Sequence, residues 1–531
     1  MKNAAFPTNE QMIWHDMELG MFIHWAPYVY NEPGVKNLTP PLEAIQGVDF
    51  DCEGWVQTAL DLGAKYIVLV AKHTGGFCLW QTDTTPYSVK NINWRNGQGD
   101  VLRDMSELCR KRGLRLGVYL SPADIYMNIK VGGRAETPQK QEEYNAIYRR
   151  QLREVLDNYG DIMEIWFDGS TICPIKDILD EHPGVIVFNS RHANIRWVGN
   201  EMGTARYPAW NGVRAEDQPL LPTRDAGTPD GEAWMPLECD TTIRSGWFWT
   251  PDNEGTLKSL ETLLHTWYVT VGHGAVLLLN SNPDRTGHIP QADAQRAREF
   301  GDLLRRIQAG KLAETSGKGY ELTLSLGRPR RVDHISLAED IRLGERVRAF
   351  TVEGLVDGTW RALANGSAIG HRHIIRLDRH EPIEALRLRI DSASDTPRIR
   401  EMAAYYADLP IHIGETDYEP ARDIRVYEWD ESIFYGVPLS PRTIEMNLSD
   451  SFNNASDVGW YEMRLSSSQG GGRILKAEAL CDEAVLDNYI QPLDETRVRL
   501  YVPGVDLNYC VRLTVEFDAV ETEGAVLLRK E

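Results

Sequence analysis

The chain has 531 residues, of which 42% are hydrophobic and 25% are charged, and its formal net charge at pH 7 is −21. This composition is ordinary for a globular protein, and at roughly 100–200 residues per domain the length predicts two or three domains. A chain this acidic repels phosphate backbones and anionic lipid headgroups, which excludes nucleic acids and membrane surfaces as expected partners. A neutral substrate such as a sugar is compatible with it.

The amino-terminal segment and the cysteines indicate a cytoplasmic protein. Residues 1–20 lack the basic and then apolar pattern of a signal peptide, and no run of 18 apolar residues follows. The seven cysteines are scattered without a CxxC pair. Such spacing favours reduced thiols over a disulfide framework or a zinc site. We therefore expect a cytoplasmic protein without a metal or other cofactor, and the sequence leaves its oligomeric state open.

The first 310 residues alternate between short apolar segments and helical patterns. Buried strands are predicted at 21–25, 64–73, 114–121, 162–169, 184–188 and 275–280. Helices are predicted at 53–63, 100–113, 139–160, 257–272 and 291–308. Repeated β–α units of this length favour a (β/α)8-like barrel, and no glycine-rich nucleotide-binding sequence follows the first strand. We expect the barrel to span 1–312.

The pattern changes after about residue 315. Short alternating segments such as YELTLSLG and EALRLRID follow one another, separated by turn residues and without long helical patterns. This pattern of short strands and turns predicts an antiparallel β-sandwich over 313–412 and a further β-rich domain of unassigned role over 413–531. The predicted fold class is therefore α/β, a (β/α)8-like barrel followed by carboxyl-terminal antiparallel β-sandwich domains.

Polar residues stand at the ends of five predicted barrel strands, and these are His24, His73, Ser121, Asp168 and Asn280. In a (β/α)8 barrel such residues face one shared opening, where catalysis takes place. Each has a structural alternative: either histidine can be a satisfied structural residue, and Asp168 can cap the turn before Gly169. Five strand ends with matching polar chemistry favour a site for a hydroxyl-rich substrate.

Cleavage of a glycosidic bond normally uses two carboxyl groups, one as nucleophile or base and one as acid. Asp168 suits the first role because it ends an apolar strand. Partners are sought in 189–250, which shows few clear elements and is predicted as long loops. The candidates there are Glu201, Glu216, Asp217, Glu238 and Asp240. The residues alone do not rank these five.

Five segments carry a family resemblance, and they are GMFIHW, GAKYIVLVAKHTGGFCLW, RLGVYLSPAD, EIWFDGS and GAVLLLNSNPDRTGHIP. In this order they resemble the retaining α-L-fucosidases of glycoside hydrolase family 29, over roughly residues 10–310. The segments WVGNEMG and LECDTTIRSGWFW are more similar to the branch selective for α-1,3/1,4-linked fucose than to the broad-specificity branch. The resemblance implies a fucosylated oligosaccharide as the substrate.

The resemblance also implies roles for two carboxyl groups. The aspartate of the WFDG strand end is the family's nucleophile and corresponds to Asp168. The glutamate of the GNE motif is the acid/base of the linkage-selective branch and corresponds to Glu201. These roles imply a double displacement, in which Asp168 forms a fucosyl ester and Glu201 first donates and then accepts a proton.

The substrate-binding residues implied by the resemblance are His24, Glu32, His73, Tyr119 and Trp247. Trp247 matches an aromatic wall against the fucose methyl group. Glu32 is a weaker match, because its loop, YNEPG, is not the usual acidic-tryptophan sequence.

The chain departs from the family pattern at two places. Thr74 stands where many members have a second histidine, so one hydrogen bond to the sugar is lost or replaced. The segment between the two carboxylates is short, which leaves the preference beyond the fucose open. The 313–412 region resembles a galactose-binding-like sandwich, for which a structural brace is favoured over sugar binding.

Three rival functions stay open at this point. A broad-specificity fucosidase or another retaining exo-glycosidase would share the two carboxylates. A non-catalytic carbohydrate-binding protein would bind without turnover, although both carboxylates argue against it. A metal hydrolase is the weakest rival, because the chain has no HxH or HExxH spacing.

Overall fold

The computed structural model of the chain consists of two compact units, Met1–Ile413 and Gly414–Glu531. The first unit contains a barrel and a β-sandwich, and the second contains strands and, among its described residues, no helix. The described residues are 5–411 except 170, 215–226, 230 and 378–380, then the strands between 432 and 530 with the turn at 493–496.

Eight parallel strands form a nearly closed barrel, with neighbours in chain order. The strands of this region are β1 Leu19–Ile23, β2 Tyr66–Lys72, β3 Arg115–Leu120, β4 Ile162–Trp166, β5 Ile186–Phe188, β6 Arg196–Trp197, β7 Gly212–Val213, β8 Ala233–Trp234, β9 Leu237–Thr242 and β10 Val276–Asn280. Strands β7 and β8 pair only with each other, outside the barrel. A single parallel bridge, Phe188–Ile195, links β5 to the start of β6. The predicted fold class is confirmed.

Seven α-helices are described, and they are α1 Asn9–His15, α2 Cys52–Leu62, α3 Val101–Arg112, α4 Pro138–Asn158, α5 Lys176–Glu181, α6 Leu260–Thr270 and α7 Gln291–Ala309. Their ends follow from local chemistry, as α3 illustrates. Asp100 accepts the backbone N–H of Arg103 at its start, and Gly113 takes a left-handed conformation at its end.

The prediction of long loops over 189–250 is wrong where strands β6, β7, β8 and β9 lie. Strand β9 places Glu238 and Asp240 inside the barrel, where both are buried. Carboxylates at inward positions interrupt the apolar run by which a buried strand is recognised in a sequence.

A register shift in β2 controls which side chains enter the barrel near its open end. Val70 pairs with Tyr119, but the next pair joins Lys72 to Leu120, so one residue is extra on β2. Lys72 consequently points outward, where its ammonium bonds the Gln151 side chain of α4 at 2.9 Å. The following residue, His73, turns inward and its ring stacks beside Tyr119 at 5.5 Å.

The sandwich of the first unit has two four-stranded antiparallel sheets, in the orders β11-β18-β13-β16 and β12-β17-β14-β15. Its strands are β11 Lys311–Lys318, β12 Glu321–Arg330, β13 His334–Glu339, β14 Val347–Val356, β15 Thr359–Gly366, β16 His373–Arg376, β17 Ile383–Ala393 and β18 Arg398–Tyr405. Apolar residues from both sheets meet between them, among them Leu337, Phe350, Leu386 and Met402.

The second unit has two five-stranded antiparallel sheets, in the orders β19-β28-β22-β26-β25 and β20-β21-β27-β23-β24. Its strands are β19 Ser432–Tyr435, β20 Val437–Pro438, β21 Thr443–Asn447, β22 Gly459–Ser467, β23 Gly472–Cys481, β24 Ala484–Val485, β25 Ile490–Pro492, β26 Arg497–Val502, β27 Tyr509–Phe517 and β28 Gly524–Lys530. Among the described residues of either unit, no helix has the length and apolar character to cross a membrane.

Candidate active site

The barrel mouth, meaning the open end formed by the carboxyl ends of the parallel strands, contains an aspartate held by a tyrosine. Asp168 follows β4, and the hydroxyl of Tyr119 on β3 donates to its Oδ2 at 2.6 Å. Tyr119 is only 1% exposed, and its ring stacks on Trp166 at 5.1 Å. A short hydrogen bond from a packed donor fixes the direction of the carboxyl group.

The asparagine that ends β10 fixes the tautomer of His24. Asn280 Oδ1 lies 2.8 Å from His24 Nδ1, while its Nδ2 donates to the carbonyl of Trp247 at 3.1 Å. Because a carbonyl requires the amide nitrogen as its donor, Oδ1 faces the histidine; Nδ1 donates and Nε2 is left as an acceptor. Asn282 adds an anchor by accepting the His24 backbone N–H at 2.8 Å. Burial, with the neighbouring His73, lowers the pKa of His24 well below its usual range, so the ring is neutral.

His73 lies between two aromatic rings on the same side of the mouth. Its ring stacks beside Tyr119 and meets the ring of Phe248 edge-on at 4.9 Å. The Thr74 hydroxyl is 3.0 Å from His73 Nδ1, so the residue that replaces the family's second histidine orients the first. Burial lowers the pKa of His73, and the nearby Asp168 opposes part of that shift.

The loop after β6 presents Glu201 at the mouth, and Asn200 shapes this loop. Asn200 Oδ1 accepts the backbone N–H groups of Met202 and Thr204 at 3.2 and 3.3 Å, and its Nδ2 donates to the Thr204 carbonyl at 2.8 Å. Met202 also forms a β-bridge with Thr241 of β9. A side chain that closes its own turn in this way fixes the position of the residue inside the turn.

Glu201 lies in an environment that favours its protonated form. Desolvation by the surrounding protein raises the pKa of Glu201 to about 7, and the negative charge of Asp168 adds to this rise. A hydrogen bond from Trp247 opposes it, since the indole N–H donates to the ionised carboxylate. The residue as a whole is exposed. Its carboxyl group nevertheless lies against Trp247 and near Asp168, and this local environment sets its pKa.

Trp247 connects the two sides of the mouth. Its ring is half-buried and lies 5.3 Å from the ring of His24 and 6.0 Å from that of Phe22. Its carbonyl is held by Asn280 and by Asn282, the latter at 2.6 Å. One face of the barrel mouth is therefore an aromatic wall whose position is fixed through the backbone.

The structure brings together six of the seven site residues predicted from the sequence, and they are His24, His73, Tyr119, Asp168, Glu201 and Trp247. Glu32 lies in the loop after β1, where it is exposed and makes no side-chain hydrogen bond or ion pair with another described residue. Ser121, predicted at the same opening, is buried and its hydroxyl accepts the Ala123 backbone N–H at 3.1 Å. That contact is a local turn rather than a substrate contact.

The other proposed partners for Asp168 divide into two groups. Glu216 and Asp217 lie outside the described residues. Glu238 and Asp240 are not loop residues as predicted, because both belong to β9. Trp197 Nε1 donates to Asp240 Oδ1 at 2.5 Å. Both side chains are buried in the barrel, where hydrogen bonds from aromatic residues hold them.

A carboxyl pair lies deep in the barrel below the mouth. Glu164 and Glu238 are both fully buried, and burial raises the pKa of each, that of Glu238 to about 7. The charge of Glu238 raises the pKa of Glu164 further, whereas a hydrogen bond from Glu164 lowers the pKa of Glu238. Tyr66 and Trp166 donate to Glu238 at 2.7 and 2.9 Å. These donors favour the ionised form of Glu238, so the shared proton belongs on Glu164.

Two residues of the mouth were not predicted, Phe248 and Asn282. Phe248 contacts the rings of both His24 and His73, and it stands in the aromatic run SGWFW that was noted only for Trp247. Asn282 lies two residues beyond Asn280, just after β10 ends, and it bonds both the His24 backbone and the Trp247 carbonyl. Among the described residues, no group of three or more His, Cys, Asp or Glu side chains could hold a metal ion.

Comparisons with known proteins identify the family. The profile of the family described as Alpha-L-fucosidase matches residues 36–308. Alpha-L-fucosidase 1 of Arabidopsis thaliana is 28% identical over 452 residues, which are 75% of this chain and 87% of the plant protein. A GH29 fucosidase of Ruminococcus gnavus, solved in complex with fucose, is 27% identical with a TM-score of 0.67, covering 76% of this chain and 95% of that one. A glycoside hydrolase 29 family member from an unknown rumen bacterium is 25% identical with a TM-score of 0.67, and both chains are covered completely. The chain therefore belongs to the α-L-fucosidase family of glycoside hydrolases, family 29.

Proposed function

We propose that this α-L-fucosidase removes terminal α-1,3/1,4-linked L-fucose from oligosaccharides or glycoconjugates by a retaining double displacement. The observation that supports it most is the difference between two neighbouring carboxyl groups. Asp168 is held by a short hydrogen bond from Tyr119, whereas the pKa of Glu201 is raised to about 7. When two carboxyl groups lie in environments that differ in this way, one is suited to act as the nucleophile and the other as the acid.

The reaction has two steps. Asp168 attacks the anomeric carbon while Glu201 donates its proton to the leaving oxygen, which forms a fucosyl ester and releases the remaining glycan. Glu201, now ionised, takes a proton from a water molecule, and that water attacks the ester to free fucose. A retaining geometry requires the two carboxyl groups to be about 5–5.5 Å apart in the productive complex.

The neutral histidines supply the contacts to the sugar. His24 offers Nε2 as an acceptor because Asn280 occupies Nδ1, and His73 has Nδ1 bonded to Thr74. Each ring therefore presents Nε2 to a fucose hydroxyl. The indole face of Trp247 packs against the fucose methyl group, since a 6-deoxy sugar is apolar at that position. Glu32 contributes only if the loop after β1 moves toward the sugar.

The linkage preference rests on the WVGNEMG and LECDTTIRSGWFW segments, which carry Glu201 and Trp247. Fucosylated oligosaccharides that differ only in an α-1,2, α-1,3, α-1,4 or α-1,6 linkage test it through the fucose released. We expect preferential release from the α-1,3 and α-1,4 substrates. Release confined to α-1,2 or α-1,6 would contradict the proposal, and equal release from all four would favour a broad-specificity enzyme.

The role of Glu201 is tested by the dependence on the leaving group. An activated aryl fucoside needs little protonation, so Glu201→Ala should largely spare formation of the fucosyl ester from it and slow an unactivated glycan strongly. Asp168→Asn should abolish turnover of both. An equal loss on both substrates in Glu201→Ala would remove Glu201 from the acid role.

A further inference from the structure

The segment that carries Glu201 continues from the barrel onto the sandwich. Near Glu201 the barrel holds it: the Thr270 hydroxyl donates to the Gly203 carbonyl, and His273 Nδ1 donates to the Ala205 carbonyl at 2.7 Å. Beyond Ala205 both domains hold it: on the barrel side Arg196 donates to the Trp210 carbonyl and the Met235 backbone N–H donates to the Asn211 carbonyl at 2.8 Å, and the sandwich supplies further partners. We call residues 200–213 the Glu201 segment.

Tyr207 is the first contact of this segment with the sandwich. Its hydroxyl donates to the carbonyl of Ala368 at 2.7 Å and accepts the backbone N–H groups of Ser367 and Ala368, both at 3.1 Å. Its ring also stacks on His373 of β16 at 4.6 Å. A Cβ at Gly366 would lie 2.3 Å from the Tyr207 hydroxyl, so the end of β15 is shaped to admit this side chain.

Asn211 makes a second contact, with a buried carboxylate of the sandwich. The Asn211 backbone N–H donates to Glu345 Oε2 at 3.0 Å, and its side-chain amide donates to Glu345 Oε1 at 2.8 Å. Both residues are buried. Burying a carboxylate is costly unless its oxygens are bonded, and here a residue of the barrel domain supplies donors to both oxygens.

An arginine of the sandwich adds a third contact. The Arg348 guanidinium lies over the ring of Trp210 at 4.9 Å and donates to the Pro229 carbonyl at 2.9 Å. The sandwich therefore holds the Glu201 segment at Tyr207, Trp210 and Asn211. Three contacts on one segment limit how far this segment can move relative to the sandwich.

From these contacts we infer that the sandwich is part of the catalytic architecture, with Tyr207 and Glu345 as positioning residues that fix the segment carrying the acid/base. The inference rests on the proposed role of Glu201. Proton donation is sensitive to misplacement of the donor, because it requires hydrogen-bond distance to the leaving oxygen. Nucleophilic attack by Asp168 depends on β3 and β4, which these contacts do not touch.

The test compares Tyr207→Phe and Glu345→Ala with the unaltered enzyme on fucosides whose leaving groups differ in acidity. We expect both variants to lose about tenfold in kcat/KM on an unactivated oligosaccharide, which corresponds to a small displacement of the donor. On a dinitrophenyl fucoside, which needs no acid, kcat/KM should stay within about twofold. Fluorescence-detected melting confirms that each variant is folded.

Arg400→Ala is the matched control. Arg400 also joins sandwich to barrel, since it bonds Asp16 Oδ1 at 2.7 Å. Asp16 precedes β1, so this ion pair lies at the amino-terminal end of the strands, away from the Glu201 segment. Loss of stability in this control without a dependence on the leaving group is the expected result.

The leaving-group dependence of the variants distinguishes the positioning role of the sandwich from the acid/base role of Glu201. Equal losses on both substrates, or no loss, in Tyr207→Phe and Glu345→Ala would overturn the inference while leaving the proposed function intact. An absence of leaving-group dependence in Glu201→Ala would overturn the proposed function itself. Tyr207→Phe keeps its ring and removes one atom, so it decides the question alone if Glu345→Ala does not fold.

Discussion

The hydrogen bond from Trp247 to Glu201 gives a signed prediction for the pH dependence of the enzyme. Replacing Trp247 with Phe removes the indole donor and keeps a six-membered aromatic ring at this position. The lost donor had stabilised the ionised carboxylate and had therefore held its pKa down. Its removal must raise the pKa of Glu201 above about 7.

The size of the shift follows from the strength of such a bond. A hydrogen bond to a charged group contributes about 1.5–3 kcal/mol when it is fully protected from water. Glu201 is reached by solvent, so water replaces part of the loss and the lower end of the range applies. One pKa unit corresponds to about 1.36 kcal/mol. We expect a rise of about one unit.

The assay is the pH profile of kcat/KM on an unactivated fucoside, whose basic limb reports the acid of the free enzyme. In Trp247→Phe the basic limb of the profile should move to higher pH. This shift is expected even if the smaller aromatic wall also lowers the maximum value of kcat/KM. Trp249→Phe is the control, since Trp249 is a neighbouring buried aromatic that contacts Arg285. A basic limb in Trp247→Phe that is unchanged or moved to lower pH would refute the assignment.

Three further changes have expected outcomes. Tyr119→Phe removes the 2.6 Å bond to Asp168 and should lower kcat by on the order of tenfold to a hundredfold, measured on an activated aryl fucoside; an unaltered kcat would show that the bond is dispensable. Burial lowers the pKa of His373 from 6.5 to about 4. Below pH 6.5 this histidine is therefore protonated in the unfolded chain but stays neutral in the folded chain. Its contribution to the free energy of unfolding should fall by about 2 kcal/mol between pH 7 and pH 5. Urea unfolding at pH 7 and pH 5 should show a smaller difference in His373→Asn, and an equal difference would contradict the reasoning. Lys72→Met leaves Asp124 buried without its ion-pair partner and should cost about 3 kcal/mol of unfolding free energy, whereas a variant as stable as the parent would show that the pair contributes little.

The barrel strands with apolar sequences were predictable because a continuous run of apolar residues can be recognised within the segment itself. Strands β1 to β5 and β10 lie within or near the predicted apolar segments, and His24, Asp168 and Asn280 consequently lie at one opening. Strand β9 was missed because Glu238 and Asp240 face the barrel interior. Hydrogen bonds from Tyr66, Trp166 and Trp197 offset the free-energy cost of burying these carboxyl groups. Those partners come from distant positions in the chain, and no local sequence pattern indicates them.

The arrangement of the mouth depends on contacts that a sequence pattern does not specify. His73 enters the barrel only because β2 has an extra residue before it. Asn200 indicates a turn in the sequence, yet the bridge from Met202 to Thr241 decides where that turn presents Glu201. The pairing of Asn211 with Glu345 joins positions 134 residues apart, so the connection between sandwich and Glu201 segment required the folded chain.

The most direct test of the central claim is to trap the fucosyl ester. A 2-deoxy-2-fluoro-fucosyl donor with a good leaving group reacts with the nucleophile, and the fluorine slows hydrolysis of the ester that forms. Peptide mass mapping of the trapped enzyme should locate the added sugar on Asp168. A sugar on any other residue, or turnover without a covalent adduct, would contradict the proposed double displacement.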